Sequence, residues 1–472
     1  DRLRSRGLGD VYKRQGYNDY KELIRIEVLF MNKTLVKYPF LTEDVEIYER
    51  ENGHKIVLAH KEGELVNVSS WVKTGSINED DKNNGISHFL EHLMFKGTHK
   101  HKAGYFDKTL EAKGAIVNAA TWKDYTFYYV TLPKGPENKD LYLAIELHAD
   151  MMLDPVLPDE EIGAPFDLND TKVSDKRERH VVIEEIRMRK DQNWTKVYNA
   201  CNFNMYKKHP YKRDVIGTPE IISQVTRDEI MNYYQTFYSP ENITTIIVGD
   251  FDKKAVLEKV EKEFDFKGRP NAPEKVNEID SPTDKTILIE NKAKVNTSYL
   301  MIGFLGPKAN QIKENIELDI ISIILGESTS SRLYQNLIEK QPEQIFNMAN
   351  AEHYQFKDGN NFFIQANYKP EKHEIAIELV KKEIENLLNN RITEEELEKA
   401  KKKIKSRFAF AAETVSEIGE TIGYYMTVCE DLKLIEDYLK DLESITIEDL
   451  ERTIKKYLSL NNAVISVLTP EN

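Results

Sequence analysis

The sequence predicts an α+β protein of two duplicated domains, each a largely antiparallel sheet packed with helices. Its 472 residues exceed what one ordinary hydrophobic core holds. Strand and amphipathic helix patterns follow one another along the chain, and their order in the first half recurs weakly in the second. We therefore expect a first domain over residues 31–265, a linker rich in Pro and charge over 266–284, and a second domain over 285–472.

Apolar spacing marks the elements of the first half, and glycine or proline marks their ends. Gly97 and Gly114 follow two short helices, and Pro155 ends a third. Pro, Asn, Asp and Thr over residues 163–174 indicate an exposed loop insertion. In chain order the predicted elements are strands over 45–47, 55–59 and 66–72, helices over 86–95 and 106–113, strands over 115–121 and 125–132, helices over 141–153, 176–191 and 226–238, and a strand over 243–248.

The second half restates these elements in the same order, and its closing stretch, residues 445–467, repeats 225–248. A helix over 318–325 stands where the first half has a helix with two histidines, but it is apolar and contains no histidine. The duplication is therefore expected to keep the fold and to discard the metal. The other predicted elements are strands over 286–289, 298–304, 361–366 and 463–467.

Composition narrows the class of protein. A formal net charge of −14 disfavours nucleic acid as a partner, since its phosphates would be repelled. The sequence contains no apolar run of about twenty residues, so we expect no membrane span. Cys201 and Cys429 are the two cysteines of the sequence, which excludes a disulfide framework and a thiolate zinc site. We expect both to be small buried hydrophobes.

The first residues do not resemble the start of a protein. Residues 1–15 are basic, have no apolar signal region, and over 10–15 resemble a translated sequencing adapter. We interpret residues 1–30 as an artefactual or non-native extension, with Met31 as a candidate initiator. The expected location is then cytoplasmic, or periplasmic if a true start has been lost upstream.

The chemistry of the sequence is concentrated in residues 86–95, where two histidines and a glutamate lie in an apolar helix pattern. At positions i and i+4, His88 and His92 stand on one helix face, so both imidazoles can reach one metal ion. Glu91 projects beside them and can accept a proton from a metal-activated water. This is the residue pattern of a zinc hydrolase.

A catalytic zinc ion needs a third protein ligand. The best candidate helix, residues 176–191, carries Glu178 and Glu185, which are seven residues apart and share one face. A carboxylate together with two neutral imidazoles leaves the ion positive enough to lower the pKa of its water. On the spacing alone, a surface salt bridge from Glu178 to Arg179 or Lys176 is an alternative to a role in the site.

The order His-x-x-Glu-His is the inverzincin signature. With it, the chain resembles the insulinase (pitrilysin) family of metallopeptidases, and most of all its half-size members related to mitochondrial processing peptidase. The resemblance covers nearly the whole chain after about residue 39. The matching stretches are residues 85–98, 118–119, 179–186, 209–218 and 330–335.

The resemblance implies roles for particular residues. Glu185 would be the third zinc ligand after His88 and His92, with one Zn²⁺ per chain, and Glu178 would support catalysis by Glu91. The stretch that contains Asn118 and Ala119 would be an edge strand onto which a substrate peptide adds as a further strand. Two such halves close around a chamber in this family, so short or unfolded peptides are the expected substrates.

The sequence also departs from the family pattern. Many relatives carry an arginine and a tyrosine in the second half that hold the substrate carbonyl, and here Ile338 and Phe346 stand in their places. Loss of one oxyanion donor typically costs about a hundred- to a thousandfold in rate. We therefore expect a related partner subunit that supplies the pair in a heterodimer, with a homodimer as the other possibility.

The sequence thus predicts a zinc-dependent endopeptidase that acts on peptides or unfolded polypeptides as the zinc-bearing subunit of a dimer. The alternative, from another class, is a non-catalytic structural or peptide-binding subunit of the same fold. The missing arginine and tyrosine favour that alternative, while the complete set of zinc residues opposes it.

Overall fold

The computed structural model describes residues 32–169, 177–273 and 276–471, so the predicted extension at 1–30 and part of the predicted insertion at 163–174 lie outside it. Its strands are β1 (Lys33–Val36), β2 (Val45–Glu49), β3 (Lys55–His60), β4 (Leu65–Val72), β5 (Ile116–Thr121), β6 (Thr126–Pro133), β7 (Ile243–Gly249), β8 (Ile287–Ala293), β9 (Ser298–Leu305), β10 (Phe346–Tyr354), β11 (Asn361–Tyr368) and β12 (Val464–Pro470).

Helices cover the sheets and connect their strands. In chain order they are α1 (Ile86–Met94), α2 (Tyr105–Glu111), α3 (Lys139–Leu153), α4 (Asp159–Ile162), α5 (Glu178–Asp191), α6 (Asn193–Met205), α7 (Pro219–Ile222), α8 (Arg227–Phe237), α9 (Lys253–Glu263), α10 (Ile312–Gly326), α11 (Arg332–Tyr334), α12 (His373–Asn389), α13 (Glu394–Phe410), α14 (Val415–Thr427), α15 (Tyr438–Ser444) and α16 (Ile447–Tyr457). Among the described residues, no helix is long and apolar enough to cross a membrane.

The described strands form two sheets with the same internal order. The first runs β1-β2-β3-β7-β4-β6-β5, and the second, read from its other end, runs β8-β12-β9-β11-β10. In both, one parallel pair, β3 with β7 and β8 with β12, joins otherwise antiparallel strands. The predicted class, two duplicated α+β units with largely antiparallel sheets, is therefore confirmed, with β1 and β2 as additions to the first sheet.

The closing helix of each half begins with the same local signal. Thr226 caps α8 and Thr446 caps α16, each accepting a hydrogen bond from the backbone three residues on. The side chains of Glu229 and Asp449 in turn accept a hydrogen bond from the backbone amide of the capping threonine, which completes a capping box. The two repeated stretches, residues 225–248 and 445–467, thus start their helices with the same capping interaction.

The two halves exchange helices. Helix α6 of the first half packs on β9 and β12 of the second sheet, whereas α14 of the second half packs on β4 and β7 of the first. Gly303 lies directly beneath Cys201, and Gly423 lies against the ring of Trp71. The predicted burial of Cys201 and Cys429 is confirmed, while the domain boundaries at 265 and 285 stay predictions.

Candidate metal centre

Helix α1 carries the predicted metal site because its two faces differ. Phe89, Leu90 and Leu93 are fully buried in the core of the first half. His88, Glu91 and His92 lie on the other face and stay partly accessible. Burial of the apolar face thus fixes the helix while it leaves three chemically active side chains at the surface of the core.

The structure brings together the three side chains predicted as ligands. Nε2 of His88 lies 3.7 Å and Nε2 of His92 lies 3.6 Å from Oε2 of Glu185. The two imidazole rings are 4.8 Å apart between centroids. Because Glu185 is on α5, which packs against α1, the group spans two helices.

The group has the donor set and spacing of a zinc site. Bonds of about 2.0–2.2 Å to imidazole and carboxylate place tetrahedral ligand atoms about 3.3–3.6 Å apart. In the part of the chain that the structure describes, His88, His92 and Glu185 are the one group of three or more His, Cys, Asp or Glu residues with ligand atoms within 4.8 Å of one another. Two imidazoles and one carboxylate leave a fourth position for water, so the residues fit a catalytic metal.

Glu178 is held in the site and does not pair with Arg179. Its Oε2 lies 3.0 Å from Nδ1 of His92, and Lys96 contacts its other oxygen. Lys176 lies outside the described residues, and the guanidinium of Arg179 is turned away from Glu178. It donates to the backbone carbonyls of Ile162, Gly163, Ile222, Ser223 and Val225. Of the two partners weighed for a surface salt bridge, Arg179 is therefore occupied by backbone carbonyls and not by Glu178.

The electrostatics of the two histidines differ. Burial and the neighbouring His92 lower the pKa of His88 to about 4. Burial also lowers the pKa of His92, but hydrogen bonds to Glu178 and Glu185 outweigh it and raise the pKa to about 9. In the absence of metal, the two carboxylates thus hold a proton on His92, which a metal ion would displace.

Glu91 contacts the strand that the family resemblance assigns to substrate. The hydroxyl of Thr121, the last residue of β5, donates a 2.6 Å hydrogen bond to Oε2 of Glu91. Burial raises the pKa of Glu91, and the bond from Thr121 opposes that rise. A carboxylate with a raised pKa is suited to take up and release a proton.

Strand β5 is the last strand of its sheet, and no described strand pairs with its outer side. Asn118 and Ala119 lie at its centre, opposite Tyr129 and Tyr128 of β6. The amide of Ala119 donates to the side chain of Asn118 at 2.9 Å. An unpaired edge next to the metal group can add an extended peptide by main-chain hydrogen bonds.

The two residues predicted to depart from the family pattern make apolar contacts. Phe346 is buried in the core of the second half, and Ile338 packs against the same core. Neither side chain carries a hydrogen-bond donor.

Two side-chain contacts of the site were not predicted from the sequence. Thr121 and Lys96 touch Glu91 and Glu178, which are 30 and 82 residues away in the chain. No local spacing relates these residues, so only the packing of α1 against α5 and β5 reveals them.

The chain thus combines a duplicated α+β fold with a candidate metal centre of two histidines and a glutamate beside an open sheet edge. Two family models match the chain: "Insulinase (Peptidase family M16)" over residues 55–218 and "Peptidase M16 inactive domain" over residues 224–404. The chain belongs to the insulinase family, peptidase family M16.

Relatives of similar length carry protease names. The zinc protease PqqE of Helicobacter pylori is 29% identical over 436 residues, which cover 89% of this chain and 91% of that protein. The uncharacterized zinc protease YmxG of Bacillus subtilis is 25% identical over 427 residues, covering 90% and 98%. The chain thus belongs to a family of the peptidase type.

Solved structures give the same fold. A protease from Helicobacter pylori has a TM-score of 0.79 at 28% identity, over 93% of this chain and all of that one. The periplasmic protease PqqL of Escherichia coli has a TM-score of 0.73 at 20% identity, but the match covers 92% of this chain and 48% of PqqL. The cytoplasmic location expected from the sequence stays a prediction.

Proposed function

We propose that this protein is a zinc-dependent endopeptidase that hydrolyses peptides or unfolded polypeptides. The observation that carries the proposal is the convergence of His88, His92 and Glu185 beside Glu91 and the open edge of β5. The zinc protease names of the relatives from Helicobacter pylori and Bacillus subtilis support it.

His88, His92 and Glu185 would hold one Zn²⁺, with Glu178 fixing the ring of His92 through its Nδ1 atom. When bound, the metal would polarise the scissile carbonyl and lower the pKa of a coordinated water molecule. Lys96 neutralises Glu178, so that Glu185 is left as the one anionic ligand directed at the ion.

Glu91 would act as the general base. Its carboxylate accepts a proton from the attacking water and returns it to the leaving amine as the peptide bond breaks. Thr121 orients the carboxylate and belongs to β5, so the strand that binds the substrate also sets the position of the base. A peptide paired along Asn118 and Ala119 would then lie on the strand whose last residue contacts Glu91.

The chain is proposed to act with a second subunit. Ile338 and Phe346 offer no donor to the oxyanion, and PqqL, of which this chain covers 48%, is about twice as long. We propose a related subunit with the arginine and tyrosine as the partner, with a second copy of this chain as the other possibility.

A second function, a non-catalytic peptide-binding or structural subunit, is favoured by the same apolar residues at 338 and 346. Zinc content and cleavage of a quenched peptide separate the two, measured on the chain with and without a co-encoded partner. Glu91→Gln is the control, because it removes the base and keeps all three ligands. Zinc-dependent cleavage that Glu91→Gln abolishes supports the enzyme; zinc binding without cleavage in any combination supports the second function.

A further inference from the structure

A buried carboxylate lies beneath the first turn of the metal-site helix. Glu79, in the loop between β4 and α1, is 1% exposed. Its Oε2 accepts hydrogen bonds from the side chain of Asn84 at 2.7 Å and from the amide of Gly85 at 2.8 Å. Its Oε1 accepts from the amide of Ser87 at 3.0 Å and from the hydroxyl of Ser87.

These bonds replace the usual helix cap. The first amides of a helix have no partner within it, and a side chain at the N-cap position normally satisfies them. Here the N-cap is Gly85, which has no side chain and a φ of 96°. Glu79 therefore caps α1 from outside the helix, and its charge also suits the positive end of the helix dipole.

The backbone of the loop that carries Glu79 is held at two points. The guanidinium of Arg213 donates to the carbonyl of Glu79. The amide of Ile77, in the same loop, donates at 2.8 Å to the carbonyl of Lys123, two residues beyond the end of β5. The loop thus ties the start of the metal helix to the strand proposed to bind substrate.

On its other side, the start of α1 lies close to the backbone of residues 216–217. A Cβ added to Gly85 would lie 2.6 Å from the carbonyl oxygen of Ile216, and one added to Gly217 would lie 2.3 Å from that of Asn84. The start of α1 is therefore packed between Glu79 on one side and the backbone of residues 216–217 on the other.

We infer that Glu79 is a positioning residue for the metal centre. It holds the first turn of α1 so that His88 and His92 face Glu185 across the helix contact. The inference rests on the proposed zinc function and adds a residue that contacts neither the metal ligands nor the substrate strand through its side chain. Supporting groups around metal ligands typically contribute about ten- to a hundredfold to metal affinity.

The second half offers a matched control. Glu317 on α10 is also 1% exposed, accepts a hydrogen bond from Thr453 and pairs with Arg452 at 3.7 Å. Glu317→Gln removes a buried carboxylate from the helix that corresponds to α1, far from the metal group. A purely structural role of Glu79 predicts that Glu79→Gln and Glu317→Gln have the same effects.

The experiment uses the full chain as wild type, Glu79→Gln and Glu317→Gln. Zinc affinity is measured by competition with a chromophoric chelator, the visible spectrum of the Co²⁺-loaded chain reports ligand geometry, and thermal unfolding in chelator reports stability. We expect Glu79→Gln to lower zinc affinity about ten- to a hundredfold and to alter the Co²⁺ spectrum. Glu317→Gln should lower only the unfolding temperature.

Zinc affinity of Glu79→Gln within twofold of wild type would overturn the inference. If that variant does not fold, Asn84→Ala, which removes one of the four donors to Glu79, decides: a loss of threefold or more supports the inference, and an unchanged affinity overturns it. A wild-type chain that binds no zinc would instead refute the proposed function, and the inference with it.

Discussion

The metal helix α1 and its counterpart α10 occupy the same place in the two halves, after β4 and after β9, but they are used differently. Helix α1 has nine residues and keeps His88, Glu91 and His92 accessible on one face. Helix α10 has 15 residues and buries most of its surface, including Ile320, Ile321 and Ile324. The duplicated fold thus tolerates at this position either a helix with a candidate metal site or a buried, apolar helix.

The helices that pack on these two elements differ in the same way. Against α1, helix α5 presents Glu178 and Glu185 to two histidines. Against α10, helix α13 presents Lys403 and Arg407 to Glu327, which follows the end of α10. An ion pair closes the contact in the second half, whereas in the first half Lys96 pairs with Glu178 and Glu185 faces the two histidines.

The largest expected effect comes from making the first half resemble the second by removing its anionic ligand. Glu185→Gln should lower zinc affinity by more than a hundredfold, beyond the range seen for supporting groups. The matched control is Glu184→Gln, since Glu184 is exposed and pairs with Arg187. Chelator competition measures both, and equal affinities for the two variants would contradict the assignment of Glu185.

A smaller effect is expected from the carboxylate that holds His92. Glu178→Gln removes the charge 3.0 Å from Nδ1 of His92 but leaves all three ligands in place. Zinc affinity or kcat/KM should fall about ten- to a hundredfold. Glu160→Gln, at an exposed position on α4, is the control. If Glu178→Gln bound zinc and cleaved peptide as well as Glu160→Gln, Glu178 would be a surface charge without a role in the site.

Local periodicity was sufficient to predict most of the fold. The alternating pattern of β4 and the apolar stripe of α1 are set by near neighbours in sequence, so the spacing of His88, Glu91 and His92 could be interpreted directly. The match between the halves followed from comparing such patterns in order, which is why the sheets agree with the prediction.

What escaped prediction depends on tertiary packing. The choice of Glu185 as the third ligand followed only from resemblance to a family, because nothing in its own helix distinguishes it from Glu178. The contact of Thr121 with Glu91 and the cap that Glu79 provides join residues of separate elements. The exchange of α6 and α14 was also invisible, because an amphipathic pattern does not specify which sheet the helix will cover.

That exchange gives a test of how strongly the two halves depend on each other. A methyl group at Gly423 of α14 would lie 1.9 Å from the buried ring of Trp71 on β4. Gly423→Ala should therefore destabilise the chain by about 1–3 kcal/mol, although alanine favours helices over glycine. Urea unfolding measures the change. Gly359→Ala, with its nearest contact at 3.9 Å, should be close to neutral, and equal stability of both variants would argue against the tight contact.

The smallest expected effect is on the stability of the fold at acidic pH, and it arises in the first half. His148 on α3 is fully buried in the first half, and neither ring nitrogen has a hydrogen-bond partner among the described residues. Burial lowers its pKa to about 3. Because the folded state then binds the proton more weakly than the unfolded chain, His148 destabilises the fold as pH falls from about 6.5 toward 3.

The wild-type chain should lose unfolding free energy between pH 7 and pH 5, and His148→Leu should lose about 1–2 kcal/mol less. One group with a shifted pKa contributes at most about 1.4 kcal/mol per pH unit. At pH 7 the variant should be nearly as stable as wild type, because the substitution leaves no partner unpaired. Urea unfolding at both pH values measures this. If His148→Leu kept the wild-type pH dependence, acid would act on the first half through groups other than this buried imidazole.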